Sequence, residues 1–426
     1  MEPKVLVISN ECFSKTSSNG RTLGNFFSGW SKDKLAQFYI SSGTPDFNYC
    51  TNYFRVTDGQ ALSAFKSGHC YGGCVKNNQE TSNTVQSTAK KRKRNAMTML
   101  ARNIVWESGR WKQCGFEQWV KMFNPDIVLL QAGDCAFMFR LAVEVAEKYN
   151  AELVIYNSEG YYFKRFDYFQ GHGIAHILYP VFLSSLKKAL RKAYKKAYCV
   201  IYICDELKEA YEKEFSGYTE TVFTGSDISY VPKEKENTVF TTAYCGNLGI
   251  KRHESLIDIA NVLQDISENL YVDVYGKTSD PQVVEALNSC RGIRWHGLVP
   301  YEEVKQILHG SDLILYVESF EPFYQEDIKF GFSTKIADSL SSGNCFLLYS
   351  PEHFACYQYL KKNEAAYTAS TKEQLRSILY DLINKPNLRF KYQEKALELA
   401  QTNHNILKNN EKFQKILYDA MNRGDK

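Results

Sequence analysis

Short apolar runs that alternate with helix-length amphipathic stretches are the feature that most constrains how this chain can fold. The runs are rich in β-branched and aromatic residues and recur from residues 4–9 to residues 365–369. A strand buried on both faces of a parallel sheet needs apolar side chains at nearly every position, and the intervening helices cover the two faces. The sequence therefore predicts an α/β fold of doubly wound, Rossmann-like sheets.

The chain is long enough for two or three domains, since it has 426 residues and a domain usually takes about 100–200. A polar, charge-rich stretch between residues 225 and 237 indicates a linker. We therefore expect one domain at residues 1–225, a second at 226–390 and a helical segment at 391–426 that belongs to one long helix. Residues 51–95 lack periodicity and are predicted to form a long loop or insertion.

Nothing in the sequence predicts a segment that crosses a membrane or directs export. The longest apolar runs, residues 198–204 and 313–317, are far shorter than the roughly 18 residues of a membrane span. Residues 5–8 are typical of a buried strand and not of a secretion signal. We therefore expect a cytoplasmic protein in which most of the 12 cysteines are reduced core residues.

His69, Cys70 and Cys74 form the one cluster that resembles a metal site. No second pair of ligands follows at the spacing of a zinc site. We expect a solvated loop here and no bound metal.

The first candidate anion site is the turn after the first strand of the second domain. Gly246 and Asn247 begin this turn, Gly249 follows, and Lys251 and Arg252 stand at the start of a helix. Backbone N–H groups and two cations at a helix start suit a phosphate. The alternative is an ordinary strand-to-helix turn with solvated cations, because Gly-x-x-Gly also occurs by chance.

The second candidate anion site is the predicted helix that ends at Gly343. Ser333 and Thr334 suit its N-cap, and Lys335 adds a charge that would help to hold a diphosphate. Asp338 lies one turn further on, where its carboxylate could accept hydrogen bonds from two ribose hydroxyls. The alternative is a capped helix with an internal Lys–Asp pair.

The order of these motifs in the second domain resembles the donor domain of the retaining GT-B glycosyltransferases of family 4. The resemblance covers about 110 residues. Its parts are the turn at 244–252, the strand end at 274–276, the segments 293–304 and 311–316, and the helix at 333–343. The first domain resembles the family's acceptor domain more loosely, through residues 5–9 and 17–21.

The resemblance implies a nucleoside diphosphate sugar as donor, bound between two facing domains. It implies that Lys251 and Arg252 neutralise the diphosphate, that Gly20 approaches it from the first domain, and that Asp338 binds ribose. The loop that begins with Leu298 and Val299 would contact the base. Further donor-binding residues implied by their place in the motifs are Gly246, Asn247, Tyr275, Gly276, Ser333, Thr334 and Lys335.

One departure from the family pattern leaves it open which residues bind the transferred sugar. The family often has a glutamate eight positions before the ribose-binding acid, and Phe330 occupies that position here. Glu318 and Glu326 have the same spacing but stand too early in the chain, so we treat them as coincidental. The chain has no Asp-x-Asp pair at the expected site, so neither an essential metal nor another cofactor is expected.

The acceptor side carries weaker signals. Glu159 follows a predicted strand and is a candidate for orienting the sugar or the acceptor hydroxyl, although a surface glutamate is the commoner outcome. His172 and His176 lie one helical turn apart without a carboxylate partner, so ligand roles are not favoured. The aromatic residues between Tyr161 and Phe169 suit either sugar stacking or a core.

A basic helix over residues 184–198 indicates an anionic partner, because no acid interrupts its cations. These cations are Lys187, Lys188, Arg191, Lys192, Lys195 and Lys196. A second run of cations, Lys90–Arg94, is likewise accompanied by apolar residues, which follow it. Residues 1–225 contain 29 Lys and Arg against 21 Asp and Glu, whereas the rest contains 23 against 27. A membrane surface is favoured over a plain charged face and over nucleic acid.

The leading hypothesis is a retaining glycosyltransferase that extends a glycan or lipid-linked glycan in surface polysaccharide synthesis, at the inner face of the membrane. A nucleotide-sugar 2-epimerase of the same architecture is an alternative, but it leaves the basic helix unexplained. A nucleic-acid-binding protein that is not an enzyme is a third. It predicts aromatic residues among the cations, and only Tyr194 and Tyr198 occur there.

Overall fold

The structure is a computed structural model that describes residues 1–14, 18–69, 71–77, 94–232 and 237–423. Its internal contacts divide the chain into two compact units. Unit 1 consists of Met1–Val222 and Asn410–Lys426, and unit 2 consists of Phe223–Asn409. The chain therefore returns to unit 1 at its C-terminal end, whereas a separate segment was predicted at residues 391–426.

Unit 1 is built on an eight-stranded sheet with the order β4-β3-β2-β1-β5-β6-β7-β8. All neighbouring strands are parallel except β3 and β4. The strands are β1 (Val5–Ser9), β2 (Leu35–Tyr39), β3 (Asn52–Arg55), β4 (Gly73–Val75), β5 (Ile127–Gln131), β6 (Glu152–Asn157), β7 (Cys199–Tyr202) and β8 (Tyr218–Thr221). Chain direction across the sheet reverses between β1 and β5, and open sheets bind ligands at such a point.

In the described part of unit 1, eight helices connect the strands. They are α1 (Ser18–Phe26), α2 (Asp58–Ser67), α3 (Ala96–Glu107), α4 (Phe116–Phe123), α5 (Ala136–Tyr149), α6 (Ile174–Ile177), α7 (Tyr179–Lys196) and α8 (Asp205–Glu212). Short 3₁₀ turns lie at Lys32–Lys34, Arg110–Cys114 and Tyr161–Phe163.

Unit 2 is built on a six-stranded parallel sheet with the order β11-β10-β9-β12-β13-β14. The strands are β9 (Thr242–Cys245), β10 (Val272–Tyr275), β11 (Ile293–Gly297), β12 (Leu313–Val317), β13 (Cys345–Tyr349) and β14 (Tyr367–Ala369). Successive strands are added on one side of β9 up to β11 and then on its other side from β12 onward, so the strand order reverses between β9 and β12. The carboxyl ends of these two strands are therefore where a ligand of this unit is expected.

The helices of unit 2 follow the same alternation. They are α9 (Arg252–Ile266), α10 (Pro281–Ser289), α11 (Tyr301–Gly310), α12 (Pro322–Ile328), α13 (Thr334–Ser342), α14 (Ala355–Lys362), α15 (Lys372–Asn384) and α16 (Gln393–Asn403), with a 3₁₀ turn at Pro386–Phe390. The last helix, α17 (Ile406–Arg423), begins in unit 2 and ends in unit 1. There Phe413 and Leu417 join the hydrophobic core around β1 and β5.

The expectation of a long loop or insertion at residues 51–95 was wrong. The segment predicted as a loop contains β3, α2 and β4, although residues 78–93 of it lie outside the described part of the chain. Its pattern is weak because β3 buries only Tyr53 and Phe54, and α2 only Ala61 and Ala64.

The predicted C-terminal helix is also interrupted, between α16 and α17. His404 stands at the break, where its ring nitrogens bond to the Thr224 carbonyl oxygen (2.9 Å) and the Tyr359 hydroxyl (2.9 Å). Asn405 then accepts hydrogen bonds from the backbone N–H groups of Leu407 and Lys408 and starts the next helix. These tertiary bonds end a pattern that would otherwise continue.

Candidate functional site

The turn after β9 is closely packed at two glycines. The Gly246 N–H donates to the Tyr275 carbonyl oxygen (2.7 Å) and ties the ends of β9 and β10 together. A Cβ atom at Gly246 would lie 2.6 Å from Lys335 Nζ, and one at Gly276 would overlap the Gly246 carbonyl oxygen. Gly276 therefore requires glycine, because its Cβ would overlap backbone, whereas a side chain at position 246 would have to displace the end of Lys335, which stands directly at this turn.

Lys335 brings the two predicted anion sites together. Ser333 caps α13 by accepting from the Lys335 N–H (3.3 Å), so the lysine belongs to the first turn of the helix. Its Nζ lies 5.8 Å from the ring centre of Tyr244 and 5.9 Å from that of Tyr316. Burial, and then the nearby Arg252 charge, lower the pKa of Lys335 to about 8. The ammonium is thus held in a position where an anion would stabilise it.

Arg252 is fixed by a buried carboxylate that the sequence analysis set aside. Its Nε and Nη2 donate to the two carboxylate oxygens of Glu318 at 2.9 and 3.0 Å. The side chain of Glu318 is 3% exposed and that of Arg252 14%. Burial alone would lower the pKa of Arg252, but the Glu318 carboxylate raises it above its usual value. The guanidinium therefore stays charged and rigid, with Nη1 outside the bonds to Glu318.

Glu318 is a candidate site residue that was not identified from the sequence. It directly follows β12, one of the two strands at the point where the sheet reverses. It also accepts from the Tyr316 hydroxyl (2.6 Å), and its carbonyl accepts from Ser255. A carboxylate placed immediately after a buried strand was the signal that could have identified it.

Lys251, the other predicted cation of the turn, has a different environment. It precedes α9 in a left-handed conformation (φ 61°), and its side chain is 43% exposed. Its Nζ pairs with Glu321 (3.1 Å) and Glu254 (3.2 Å). It is therefore a surface cation whose partners an incoming anion would have to replace.

Asp338 is buried and surrounded by hydroxyl groups. Its Oδ1 accepts from Ser226 Oγ at 2.6 Å and lies 3.2 Å from the Tyr301 hydroxyl. The same Tyr301 hydroxyl lies 2.6 Å from Asp227 Oδ1, and Lys305 pairs with the other oxygen of Asp227 (2.8 Å). A tyrosine hydroxyl has one proton, so it cannot donate to both acids at once. The arrangement suits hydroxyl groups of a ligand.

The residues predicted near the base border the same turn. Tyr275 stacks on His296 with ring centres 4.6 Å apart, and His296 Nε2 lies 2.7 Å from Asp273 Oδ1. Leu298 is 73% exposed and Val299 is half-buried. Asn247 is a structural residue of the turn itself: its Oδ1 accepts from the Gly249 N–H (2.8 Å).

The two glutamates with the family spacing have separate environments. Glu326, in α12, pairs with Lys329 at 2.8 Å, whereas Glu318 binds Arg252. Phe330 is half-buried, and Lys329 Nζ lies 5.4 Å from its ring centre. Thr334, the first residue of α13, is half-buried beside the cap.

In unit 1, ionisable groups gather after β5 and β6. Asp134 is buried, pairs with Arg94 and lies 3.3 Å from the Tyr168 hydroxyl. Lys164 is also buried, with Nζ 5.1 Å from the Tyr168 ring centre, and burial lowers its pKa to about 8. Glu159 is exposed as a residue, but loss of solvation at its carboxyl raises the pKa of that group, and the Lys164 charge opposes the rise. Clusters of shifted pKa values are typical of functional sites.

The remaining candidates of unit 1 are placed as follows. Gly20 is buried in the first turn of α1. His172 is exposed, and His176 lies 3.4 Å from the buried Asp167 carboxylate. Within the described residues, no group of three or more His, Cys, Asp or Glu could hold a metal ion. Cys74 is exposed, whereas Cys70 and residues 90–93 lie outside the described ranges.

The basic helix is α7, and its cations fall into two groups. Lys187 and Arg191 lie over the Tyr162 ring, each 5.2 Å from its centre, and Arg191 also donates to the Tyr162 hydroxyl (2.7 Å). The others, Lys188, Lys192, Lys195 and Lys196, are exposed. Among the described helices, none is long and apolar enough to cross a membrane.

No family model and no curated protein sequence matches the chain. Solved structures do. HepE from Anabaena in complex with UDP is 11% identical with a TM-score of 0.64, covering 98% of this chain and 100% of its own. Sucrose-phosphate synthase from Thermosynechococcus elongatus is 9% identical (TM-score 0.63, 98% of each chain). WaaG, a glycosyltransferase involved in lipopolysaccharide biosynthesis, is 13% identical (TM-score 0.58, 96% and 99%).

These neighbours confirm the predicted fold class. Both units of the chain have the α/β architecture of GT-B glycosyltransferases, and the likeness extends over nearly the whole length. Membership of family 4 stays a prediction, since no family model supports it.

Proposed function

We propose that the chain is a glycosyltransferase whose unit 2 binds a nucleoside diphosphate sugar. The observation that carries the proposal is the position of Lys335, whose ammonium meets the glycine turn after β9 at the start of α13. Asp338 follows one turn later and lies among hydroxyl groups. A cation and a carboxylate at this spacing match a diphosphate followed by a ribose.

The fold neighbours support this class of ligand. HepE has been crystallised with UDP and with UDP-glucose. In the present chain the diphosphate would lie at the N-terminus of α13, where the helix dipole, Ser333 and Thr334 favour negative charge. The base would lie near Tyr275 and the exposed Leu298–Val299 loop.

The proposed chemistry is transfer of the sugar with retention of configuration. The bond between the anomeric carbon and the leaving phosphate oxygen breaks, the acceptor oxygen bonds to the same face, and the departing phosphate takes the acceptor's proton. Charge grows on the diphosphate in this step, so cations placed beforehand stabilise the transition state most. Lys335 and Arg252 are held in such positions, and Lys251 can reach from the surface. Glu318 acts through Arg252 as a positioning residue.

The acceptor is proposed to be a glycan or a lipid-linked glycan bound by unit 1, as in surface polysaccharide synthesis. Glu159, Asp134 and Tyr168 offer carboxylate and hydroxyl groups at the carboxyl ends of β5 and β6. Sugar hydroxyls are recognised by such groups together with aromatic faces. WaaG, with the same fold, is involved in lipopolysaccharide biosynthesis.

The test compares a nucleotide with a ligand that lacks ribose. We expect calorimetry to show binding of at least one of UDP, GDP and ADP, and weaker binding of pyrophosphate. Asp338→Asn should weaken nucleotide binding by about tenfold, or about 1.4 kcal/mol, and leave pyrophosphate binding unchanged. The matched control is Asp265→Asn, which removes the charge of a surface carboxylate on α9 that pairs with Arg376 on α15. Equal losses for both ligands, or no binding of any nucleotide, would contradict the proposal.

A further inference from the structure

The surface around α6 and the start of α7 exposes large apolar side chains. Ile174 is 69% exposed, Ile177 71% and Val181 55%, and Phe166 in the preceding loop is 62% exposed. Isolated exposed apolar residues are common, but four within sixteen positions of one segment are not a scattered set. Helix α3, which packs against α6 and α7, adds exposed Met97 and Ile104.

The exposed lysines of α7 continue from this apolar end along the same side of the helix. Val181, Lys188, Lys192 and Lys195 are spaced by seven, four and three residues, which places them on one face of an α-helix. The opposite face is buried through residues such as Leu186, Leu190 and Ala193. At 1.5 Å per residue, the exposed face extends for about 21 Å from Val181 to Lys195.

Acidic side chains of the described residues do not pair with the lysines of this face. In the described part of the chain, no ion pair involves Lys188, Lys192, Lys195 or Lys196. Between residues 160 and 200 the sequence has eight Lys and Arg residues but only one acid, Asp167. Asp167 is buried and accepts from backbone N–H groups of its own loop. The four lysines therefore suit an external anion.

We propose that this surface docks on an anionic lipid bilayer, with the apolar end entering the interface and the lysines resting on lipid phosphates. This basic-apolar face consists of Phe166, Ile174, Ile177, Val181 and the four exposed lysines of α7. The inference goes beyond donor binding, because every one of these residues belongs to unit 1.

A bilayer explains both halves of the face. Lipid phosphates satisfy the lysines, and the interfacial region accepts aliphatic side chains at a depth of about 5–10 Å. Nucleic acid would satisfy the lysines alone and leave the two isoleucines and the valine in water. The two cations of α7 that lie on an aromatic ring, Lys187 and Arg191 on Tyr162, make a structural contact and are not placed for base stacking, since Tyr162 is buried.

The test uses the full chain and vesicles of defined composition. We expect sedimentation with vesicles of mixed phosphatidylcholine and phosphatidylglycerol at low salt, and little with phosphatidylcholine alone. Each lysine near an anionic surface contributes about fivefold to the partition coefficient. The triple variant Lys188→Gln, Lys192→Gln, Lys195→Gln should therefore lower it on the order of 100-fold. The double variant Ile174→Ser, Ile177→Ser should lower it even where the salt concentration has screened the charges.

A matched control changes the same number of exposed lysines elsewhere in unit 1. Lys66 on α2, Lys121 on α4 and Lys415 on α17 serve this purpose, and their replacement by Gln should leave vesicle binding unchanged. Unchanged nucleotide binding and thermal unfolding show that each variant is folded. Equal vesicle binding by parent and triple variant, binding of duplex RNA without vesicle binding, or self-association through the apolar residues would overturn the inference.

Discussion

Donor binding should weaken as the pH rises from 7 to 9, because Lys335 loses its proton in that range. Burial lowers the pKa of Lys335 to about 8 in the protein without ligand. Lys335 is then protonated in about 90% of the molecules at pH 7 and in about 10% at pH 9. A diphosphate bound to the ammonium raises that pKa, so only the protonated protein binds tightly. The affinity for a nucleoside diphosphate should fall about tenfold, or about 1.4 kcal/mol.

The charged neighbours of Lys335 do not produce the same effect. Arg252 has a raised pKa and stays protonated, and burial raises the pKa of the Cys245 thiol to about 12, so it stays neutral. The phosphate groups have their second pKa near 6 and are ionised throughout this range. Lys335 is therefore the group beside the turn whose charge changes between pH 7 and 9.

Calorimetry at pH 7, 8 and 9 measures this dependence. Titrations at pH 8 in buffers of different ionisation enthalpy should show uptake of about half a proton per nucleotide bound. Lys335→Met removes the titrating group, so its weaker binding should be independent of pH. An affinity of the parent protein that is constant or rises from pH 7 to 9 would refute the reasoning, because Lys335 would then not contact the diphosphate.

Two further predictions concern buried groups of unit 2. Glu318→Gln leaves the buried Arg252 charge without its carboxylate and should lower the free energy of unfolding, measured in urea, by about 3–5 kcal/mol. The control Glu326→Gln removes one partner of a surface pair and should lower it by less than about 1 kcal/mol. Similar losses for the two variants would contradict the role of Glu318. Burial lowers the pKa of His404 to about 4, so the unfolded chain takes up its proton first as the pH falls below about 6.5. The parent should lose about 2 kcal/mol more than His404→Gln between pH 7 and pH 5, and equal losses would count against a neutral buried histidine.

The sheet architecture could be predicted because buried parallel strands have a sequence pattern of their own. Strands such as β5 and β12 are apolar at nearly every position, so the sequence identified them directly. β3 was missed because its two buried aromatics are flanked by Asn52 and Arg55 and give no longer run. The break at His404 was missed because tertiary hydrogen bonds, and not a helix-breaking residue, end α16.

The candidate site was predictable where one local motif supplies it and not where distant segments meet. Lys335 and Asp338 were identified from the capped helix, and their spacing is that of the observed α13. That Lys335 lies against Gly246 depends on the packing of α13 beside β9, which no local pattern encodes. The pairing of Arg252 with Glu318 joins the ends of two strands in the same way. Unpaired charges therefore could not be told from paired ones in the sequence.

The central claim is that unit 2 holds the diphosphate of a sugar donor at the turn after β9. A crystal structure of the protein with its best-binding nucleoside diphosphate is the most direct measurement of this claim. We expect a phosphate oxygen within hydrogen-bonding distance of Lys335 Nζ, and ribose hydroxyls at the Asp338 carboxylate. A nucleotide bound elsewhere, with Lys335 still against Gly246 and no phosphate beside it, would contradict the account.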